Sequence, residues 1–196
     1  MMPEDDLDEA QTAVDTCLAR FGERNRDTLD AMSRLAKAHI SLGDLASART
    51  VQEKVFAIRR ELLGADDHST IWAANDFANT LQKLGELQLA KNVQQDNLAA
   101  VERIYGRDEE ETMIVRENLA SILWRIDDFT GSVELQQKNL DGLRRLYGNL
   151  DPRTIRALAN LASTKQHQGD HLGAIPLQLR AIMAQIRIRS RFPRSG

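Results

Sequence analysis

Apolar residues recur at steps of three and four along the chain, which is the spacing that amphipathic helices require. The segment from Ile71 to Leu84 shows one such apolar face, and Gly85 follows it as a stop signal. A second apolar face runs from Leu87 to Tyr105 and ends at Gly106. No apolar–polar alternation of the kind found in strands competes with this pattern. The pattern therefore predicts an all-α chain built from helical hairpins.

The hairpin pattern repeats every 42 residues. Four columns of identical residues share this period: Thr28, Thr70, Thr112 and Thr154; Ala36, Ala78, Ala120 and Ala162; Gln52, Gln94, Gln136 and Gln178; and Gly22, Gly64, Gly106 and Gly148. Identity in four columns at one period indicates a tandem repeat array.

The columns divide the chain into one solenoid of repeats over residues 1–196. A half repeat is predicted at 6–22, with its helix at about 6–21, and a basic tail at 190–196. The complete repeats are predicted at 28–64, 70–106, 112–148 and 154–189. Because the half repeat lacks a first helix, the chain is expected to be either a piece of a longer array or a protein with an atypical end.

The residues that favour turns and helix caps agree with these boundaries. Gly43, Gly85 and Gly169 fall at the turn inside a hairpin, and Asp127 takes that position in the third repeat. The acidic residue before each later first helix is suited to an N-cap, with Asp151-Pro152 the clearest case. The small residues of the alanine column allow two helices to approach closely, so stacked hairpins can bury a continuous core.

Several short motifs resemble tetratricopeptide repeats. Asn118-Leu119-Ala120 and Asn160-Leu161-Ala162 look like the Asn-Leu-Ala element of that family, and Leu42-Gly43-Asp44 looks like its turn. The 42-residue period and Asp151-Pro152 are similar to the kinesin-light-chain type, and the glutamine column resembles bacterial arrays found beside a nucleotide-binding NB-ARC domain. The resemblance implies a right-handed superhelical solenoid of antiparallel hairpins that binds a protein or peptide in a concave groove.

Composition and charge narrow the functional classes. The net charge of −3 gives no general attraction to nucleic acid or membrane. Cys17 is the single cysteine, which excludes an internal disulfide and fits a reducing, cytoplasmic compartment. The sequence shows no secretory signal and no apolar run of the roughly 18 residues that a membrane span requires.

The geometry of the family implies which positions of the first helices line the groove, and helical spacing agrees with it. The candidate groove residues are Arg34, Lys37, Trp72, Asn75, Asn79, Lys83, Glu117, Asn118, Ser121, Trp124, Arg125, Arg156, Asn160, Ser163 and His167. This set is more basic than the whole chain, so a partner with acidic and apolar residues is expected. Both tryptophans belong to it, either as interface anchors or as rings that fill a gap against a neighbouring repeat.

Catalytic and cofactor motifs are not found. His167 and His171 have a four-residue spacing, but Gly169-Asp170 breaks the helix between them, so no metal site is predicted. No cofactor is expected, since no glycine-rich phosphate loop occurs. The glutamine column sits beside packing positions, and hydrogen bonding within and between repeats is its expected role.

Three interpretations of the function therefore remain open. The first is a scaffold that binds a protein or peptide in its groove, the second is a regulatory or sensor array of a larger signalling protein, and the third is a nucleic-acid-binding solenoid, which the charge disfavours. Weak end-to-end self-association is a further possibility, because the two ends carry opposite charges. Both ends are also expected to leave apolar residues incompletely covered, either in contact with another copy or capped by the tails.

Overall fold

The computed structural model describes the backbone of residues 3–191 and the side chains of residues 5–187. Within that range the chain forms nine helices and no strand, which confirms the all-α prediction. The helices are α1 (Pro3–Phe21), α2 (Arg26–Ser41), α3 (Leu45–Leu63), α4 (His68–Leu84), α5 (Leu87–Ile104), α6 (Glu110–Arg125), α7 (Phe129–Tyr147), α8 (Pro152–His167) and α9 (His171–Arg191). Of the predicted basic tail, residues 190–191 belong to α9 and residues 192–196 lie outside the described residues.

The chain divides between Ile104 and Tyr105 into two compact units. The first unit contains α1 to α5 and the second contains α6 to α9. Within each unit, every helix packs against the next one in sequence. The first unit has a core centred on Leu29, Leu35 and Val55, and the second has one centred on Leu140 and Leu161. Within each unit, neighbouring hairpins therefore share apolar contacts. The single array over 1–196 stays a prediction.

The small residues of the repeat lie at the helix contacts. The four alanines at 36, 78, 120 and 162 are at most 2% exposed, as the repeat predicts. The corresponding position of the second helix holds Ala48, Ala90, Ser132 and Ala174, all completely buried. Ser132 is polar, and its hydroxyl donates to the carbonyl oxygen of Ala120 at 2.9 Å. A small side chain at both positions lets the two helices of a hairpin pack closely.

Most of the turns and helix caps form at the residues that the sequence predicts. Asp127 adopts φ of 60°, in the left-handed region that the glycine at the equivalent Gly85 enters with φ of 82°. Asp67 accepts hydrogen bonds from the amides of Ser69 and Thr70, and Asp151 caps α8 ahead of Pro152. Glu109 differs, because it precedes α6 without making a side-chain cap.

The threonine and glycine columns meet at the junction between repeats. Thr28 is buried and its hydroxyl donates to the carbonyl of Gly22 at 2.7 Å, and Thr112 donates in the same way to Gly106 at 2.6 Å. Thr70 and Thr154 are equally buried, but their hydroxyls have no hydrogen-bond partner among the described residues. The same two columns therefore form a hydrogen bond at alternate junctions.

The first helix is better covered than the sequence suggests. Val14 is 5% exposed, and Ala10, Ala13 and Cys17 pack against the core that includes Leu29 of α2. The helix α1 is amphipathic and turns this apolar face inward, so that Val14 is buried and Ala10, Ala13 and Cys17 are partly buried. Leu18 and Phe21 of the same helix remain 36% and 43% exposed, and self-association through this end stays a prediction.

Candidate functional site

The second unit contains an open cleft of about 320 Å³ between its two first helices, α6 and α8. One wall follows α6 at Glu117, Ser121 and Trp124, which lie three and four residues apart and therefore share one face of the helix. The other wall follows α8, and the floor comes from α7. The lining of α8 and α7 includes Arg153, Arg156, Asn160, Ser163, Gln136, Asn139 and Leu143.

Trp124 belongs to a cluster of rings at one end of this cleft. Its ring lies edge-on to His167, with centroids 5.3 Å apart, and 6.4 Å from Phe129. His167 is also stacked on Phe129 at 5.8 Å. Trp124 nevertheless remains 38% exposed. The ring is therefore held by the next first helix and still presents surface to a ligand, so both predicted roles of the tryptophan are compatible here.

The other end of the cleft carries two arginines. Arg153 stacks on the ring of Tyr147 at 3.4 Å and binds Asp151 through two nitrogens at 3.0 and 3.2 Å. The hydrogen bond to Asp151 raises the pKa of Arg153. Arg156 is exposed and lies 3.7 Å from Glu117 across the cleft. Each of the two arginines therefore has one acidic neighbour, Asp151 for Arg153 and Glu117 for Arg156, and only Glu117 belongs to the cleft lining.

The floor of the cleft is fixed by hydrogen bonds to the protein. Asn139 is 7% exposed, accepts a hydrogen bond from Arg116 at 3.1 Å and donates to the carbonyl of Met113 at 2.9 Å. These contacts leave Asn139 little freedom to reorient. The cleft therefore has a rigid polar floor, an aromatic end and an end with two ion-paired arginines.

The first unit has a separate polar cleft of about 480 Å³ around Trp72. Arg59, 8% exposed, donates to Asp30 at 2.5 Å and to the carbonyl of Ser69 at 3.2 Å. The remaining polar lining comprises Ser33, Arg34, Lys37 and Asp76. Burial raises the pKa of the Asp76 carboxyl, and the nearby charges of Lys37 and Arg59 oppose that increase.

The structure brings together nine of the fifteen predicted groove residues, in two separate clefts. Six line the cleft of the second unit: Glu117, Ser121, Trp124, Arg156, Asn160 and Ser163. Three line the cleft of the first unit: Arg34, Lys37 and Trp72. Among the others, His167 supports Trp124, whereas Asn79, Lys83, Asn118 and Arg125 lie on first helices outside both linings.

Asn75, which the sequence predicts as a groove residue, is buried and belongs to neither cleft lining. It is 5% exposed, and its side-chain oxygen accepts a hydrogen bond from Gln94 at 3.1 Å. The contact ties α4 to α5, which is the structural role expected of the glutamine column. Gln136 of the same column instead lines the cleft of the second unit.

The sequence prediction missed several lining residues. Arg153 was detectable, because it precedes Arg156 by three residues and so shares its helix face. Arg59 was not detectable, since it reaches the first-unit cleft from a second helix and occupies a position that is Val101 in the next repeat. Among the described residues, no group of three metal-binding side chains is found, and no helix is long and apolar enough to cross a membrane.

Consecutive hairpins with an open, polar first-helix face define a helical-repeat protein. A family model described as tetratricopeptide repeat matches residues 27–103 and 111–184. The chain therefore belongs to the tetratricopeptide-repeat family. No curated protein sequence matches it significantly.

Solved structures share the fold at low sequence identity. A Podosopora anserina protein described as a kinesin light chain with nearly identical TPR-like repeats superposes with a TM-score of 0.88 at 17% identity, covering 95% of this chain and 89% of that one. BtubC (BKLC) from P. vanneervenii gives 0.75 at 17% identity, covering 95% and 75%. MamA from Desulfovibrio magneticus RS-1 gives 0.65 at 18% identity, covering 93% and 97%. The predicted resemblance to kinesin-light-chain-type repeats is confirmed at the level of the fold.

Proposed function

We propose that the protein is a non-enzymatic interaction module that binds a segment of another polypeptide in the cleft between α6 and α8. Tetratricopeptide repeats commonly serve as scaffolds for protein–protein interaction. The observation that carries the proposal is the combination of a partly exposed, ring-supported Trp124 with the fixed guanidinium of Arg153 in one open cleft. Supported aromatic rings and arginines are the side chains that most often dominate binding energy at interfaces.

The chemistry of the cleft indicates the kind of segment it binds. An apolar side chain of the ligand would contact the ring of Trp124, and an acidic side chain would approach Arg153 and Arg156. The cleft is open at the surface and its lining is polar at the floor, so an extended peptide is favoured over a buried small molecule. We therefore expect a ligand segment that carries an apolar residue and an acidic residue a few positions apart.

The test uses an array of immobilised peptides of about 12 residues in which one leucine or phenylalanine and one glutamate are placed at varied spacings. Peptides that bind the purified full chain are then measured in solution against single variants. Trp124→Ala is expected to weaken binding by about tenfold to thirtyfold, corresponding to roughly 1.4–2 kcal/mol. Arg156→Gln is expected to weaken peptides with glutamate more than the same peptides with glutamine.

Arg125→Gln is the matched control, because Arg125 is an exposed cation of α6 next to Trp124 but lies outside the cleft lining. It is expected to bind the selected peptides like the unmodified chain. Circular dichroism verifies that each variant is folded. Peptides that bind equally to Trp124→Ala, Arg156→Gln and Arg125→Gln would show that the cleft is not the binding site.

A further inference from the structure

The last described helix carries a second apolar face in addition to the one that packs against α8. Ala174, Ala181 and Ala184 are buried on the inner side of α9. The outer stripe consists of Leu172, Ile175, Leu179, Ile182, Met183 and Ile186, whose exposed fractions are 50–84%. At about 100° per residue, this stripe is centred roughly 160° from the inner alanines. It therefore points away from the core of its own hairpin.

The repeat register shows that the outer stripe is particular to α9. Leu179 and Ile186 occupy positions that are charged or polar in each earlier second helix of a complete repeat. The equivalent residues are Glu53, Gln95 and Gln137 for Leu179, and Arg60, Glu102 and Arg144 for Ile186. Ile182 is an exception, because its equivalents Phe56, Leu98 and Leu140 are all apolar.

A further repeat would leave most of this stripe in solvent. In the first unit, α3 packs against both α2 and α4. Its residues equivalent to Leu172, Leu179, Met183 and Ile186 nevertheless remain exposed: Ala46, Glu53, Ala57 and Arg60. The outer stripe is thus a property of the surface of α9 and is not explained by a helix that stacks on the end of the array. An apolar surface of this kind marks an interaction site.

A basic groove adjoins the stripe. A cavity of about 640 Å³ is lined by Leu179 and Met183 together with Arg144, Arg180 and Arg187, and its lining contains no acidic residue. In the equivalent position of the first unit, acids are present. Asp66 pairs with Arg103, and Asp96 lies 3.9 Å from Arg60. Two repeats later, the residue equivalent to Asp66 is Leu150 and the residue equivalent to Asp96 is Arg180. Two acids of the earlier repeat are therefore replaced by an apolar residue and a cation.

From these observations we infer that α9 docks an amphipathic helix of a partner protein, whose apolar stripe is flanked by acidic residues. Five of the stripe residues, from Leu172 to Ile186, follow the alternating three- and four-residue spacing of a helix-packing seam. The seam covers an arc of only about 100°, which is the width of one packed helix. Arg180 and Arg187 lie beside it and complement acidic flanks.

Two other occupants fit less well. A second copy would place Arg180 and Arg187 of two α9 helices side by side, and residues 171–196 contain no acidic residue to offset them. A flat anionic membrane that contacts α9 would also approach α7. There the positions equivalent to Pro176 and Met183 are the exposed acids Glu134 and Asp141, which anionic lipids repel. A narrow acidic helix avoids both conflicts.

The test uses a fluorescein-labelled synthetic helix of about 21 residues with leucines at the seam spacing, glutamates on the flanks and alanines elsewhere. A second peptide keeps the leucines and carries lysines on the flanks. The full chain is expected to bind the glutamate peptide at least about tenfold more tightly than the lysine peptide. Arg180→Gln combined with Arg187→Gln is expected to weaken the glutamate peptide and to reduce the salt dependence of its binding.

The decisive variant combines Leu172→Thr, Leu179→Gln and Met183→Ala, each of which introduces the residue found at the same position of an earlier repeat: Thr130, Gln137 and Ala99. These changes are neutral in charge and lie on an exposed face, so the helical content is expected to stay the same. Binding of the glutamate peptide is expected to fall at least about tenfold. The single variant Leu179→Gln is expected to lose less affinity for the glutamate peptide. It provides an independent measurement if the triple variant is less stable.

Trp124→Ala is the control that separates this site from the cleft between α6 and α8, and it is expected to bind the glutamate helix normally. Equal binding of both peptides, or an unchanged affinity in the triple variant, would overturn the inference. A dimer in sedimentation that the triple variant abolishes would assign the stripe to a second copy instead. Sedimentation with vesicles containing phosphatidylserine, abolished by the same variant, would assign it to a membrane and equally overturn the partner-helix inference.

Discussion

The four threonines of the repeat offer a matched test of a buried hydrogen bond. Thr112 and Thr154 occupy the same repeat position in the second unit, and both are completely buried. The hydroxyl of Thr112 donates to Gly106 at 2.6 Å, whereas that of Thr154 has no partner among the described residues. Replacing each threonine by valine removes the hydroxyl and keeps the branched shape. The two substitutions therefore isolate the hydrogen bond from the packing.

The expected effects have opposite signs. Thr112→Val removes a hydrogen bond to a backbone carbonyl, which costs about 1 kcal/mol of unfolding free energy. Thr154→Val removes a buried hydroxyl that has lost its contact with water and gained no protein partner, so a gain of up to about 1 kcal/mol is expected. The difference between the two variants is thus about 1–2 kcal/mol, although the sequence places both residues in one column.

The first unit provides an independent second pair, because Thr28 donates to Gly22 and Thr70 has no partner among the described residues. Urea unfolding of the four single variants, followed by far-UV circular dichroism, measures the midpoint and slope for each. The order expected in each unit is that the variant of the bonded threonine unfolds at lower urea concentration. Equal destabilisation by all four variants would refute the reasoning and show that the hydroxyl contacts are equivalent.

Three further predictions concern the fold and the first-unit cleft. Ala120→Leu is expected to overpack a contact that is 2% exposed and to cost about 1–3 kcal/mol, and an unchanged melting temperature would contradict this. Asp127→Gly is expected to stabilise the chain by up to about 1 kcal/mol, because it relieves a non-glycine residue at φ of 60°, with Asp127→Ala as the control that retains the strain. Because burial raises the pKa of Asp76 in the folded state, Asp76 favours folding when protonated, and this contribution is lost as the pH rises from about 4 through the raised pKa. Asp76→Asn is therefore expected to gain stability relative to the unmodified chain across that window, whereas parallel urea midpoints from pH 4 to 8 would exclude the effect.

The fold was predictable because the repeated residues meet requirements that arise within a single hairpin. A small residue at a helix contact, such as Ala78, and a residue that tolerates positive φ, such as Gly85, meet requirements set by the hairpin itself. Every hairpin imposes the same requirements, so they appear as columns in one sequence. The hydrogen bond of a particular threonine was not predictable, since it depends on where the carbonyl of the preceding loop points.

The candidate site was predictable only where it lies on one helix face. Glu117, Ser121 and Trp124 share a face through their spacing, and the structure places them in one cleft. Asn75 has a similar spacing relative to Trp72, but the opposing Gln94 draws its amide into the core. Contacts across helices decide such cases, and a pattern along one helix does not contain them.

The second hairpin of the second unit carries two proposed binding surfaces on different helices. The cleft uses Arg156 and Asn160 of α8, and the outer stripe uses residues on the far side of α9. Between them lie Ala162 and Ala174, both nearly or completely buried, which hold the two helices together. Because the repeat fixes the positions that pack and leaves the exposed positions free, each surface can acquire its own charge and hydrophobicity without altering the core. A peptide in the cleft and a helix on α9 therefore need not compete, and the chain is suited to hold two partners at once.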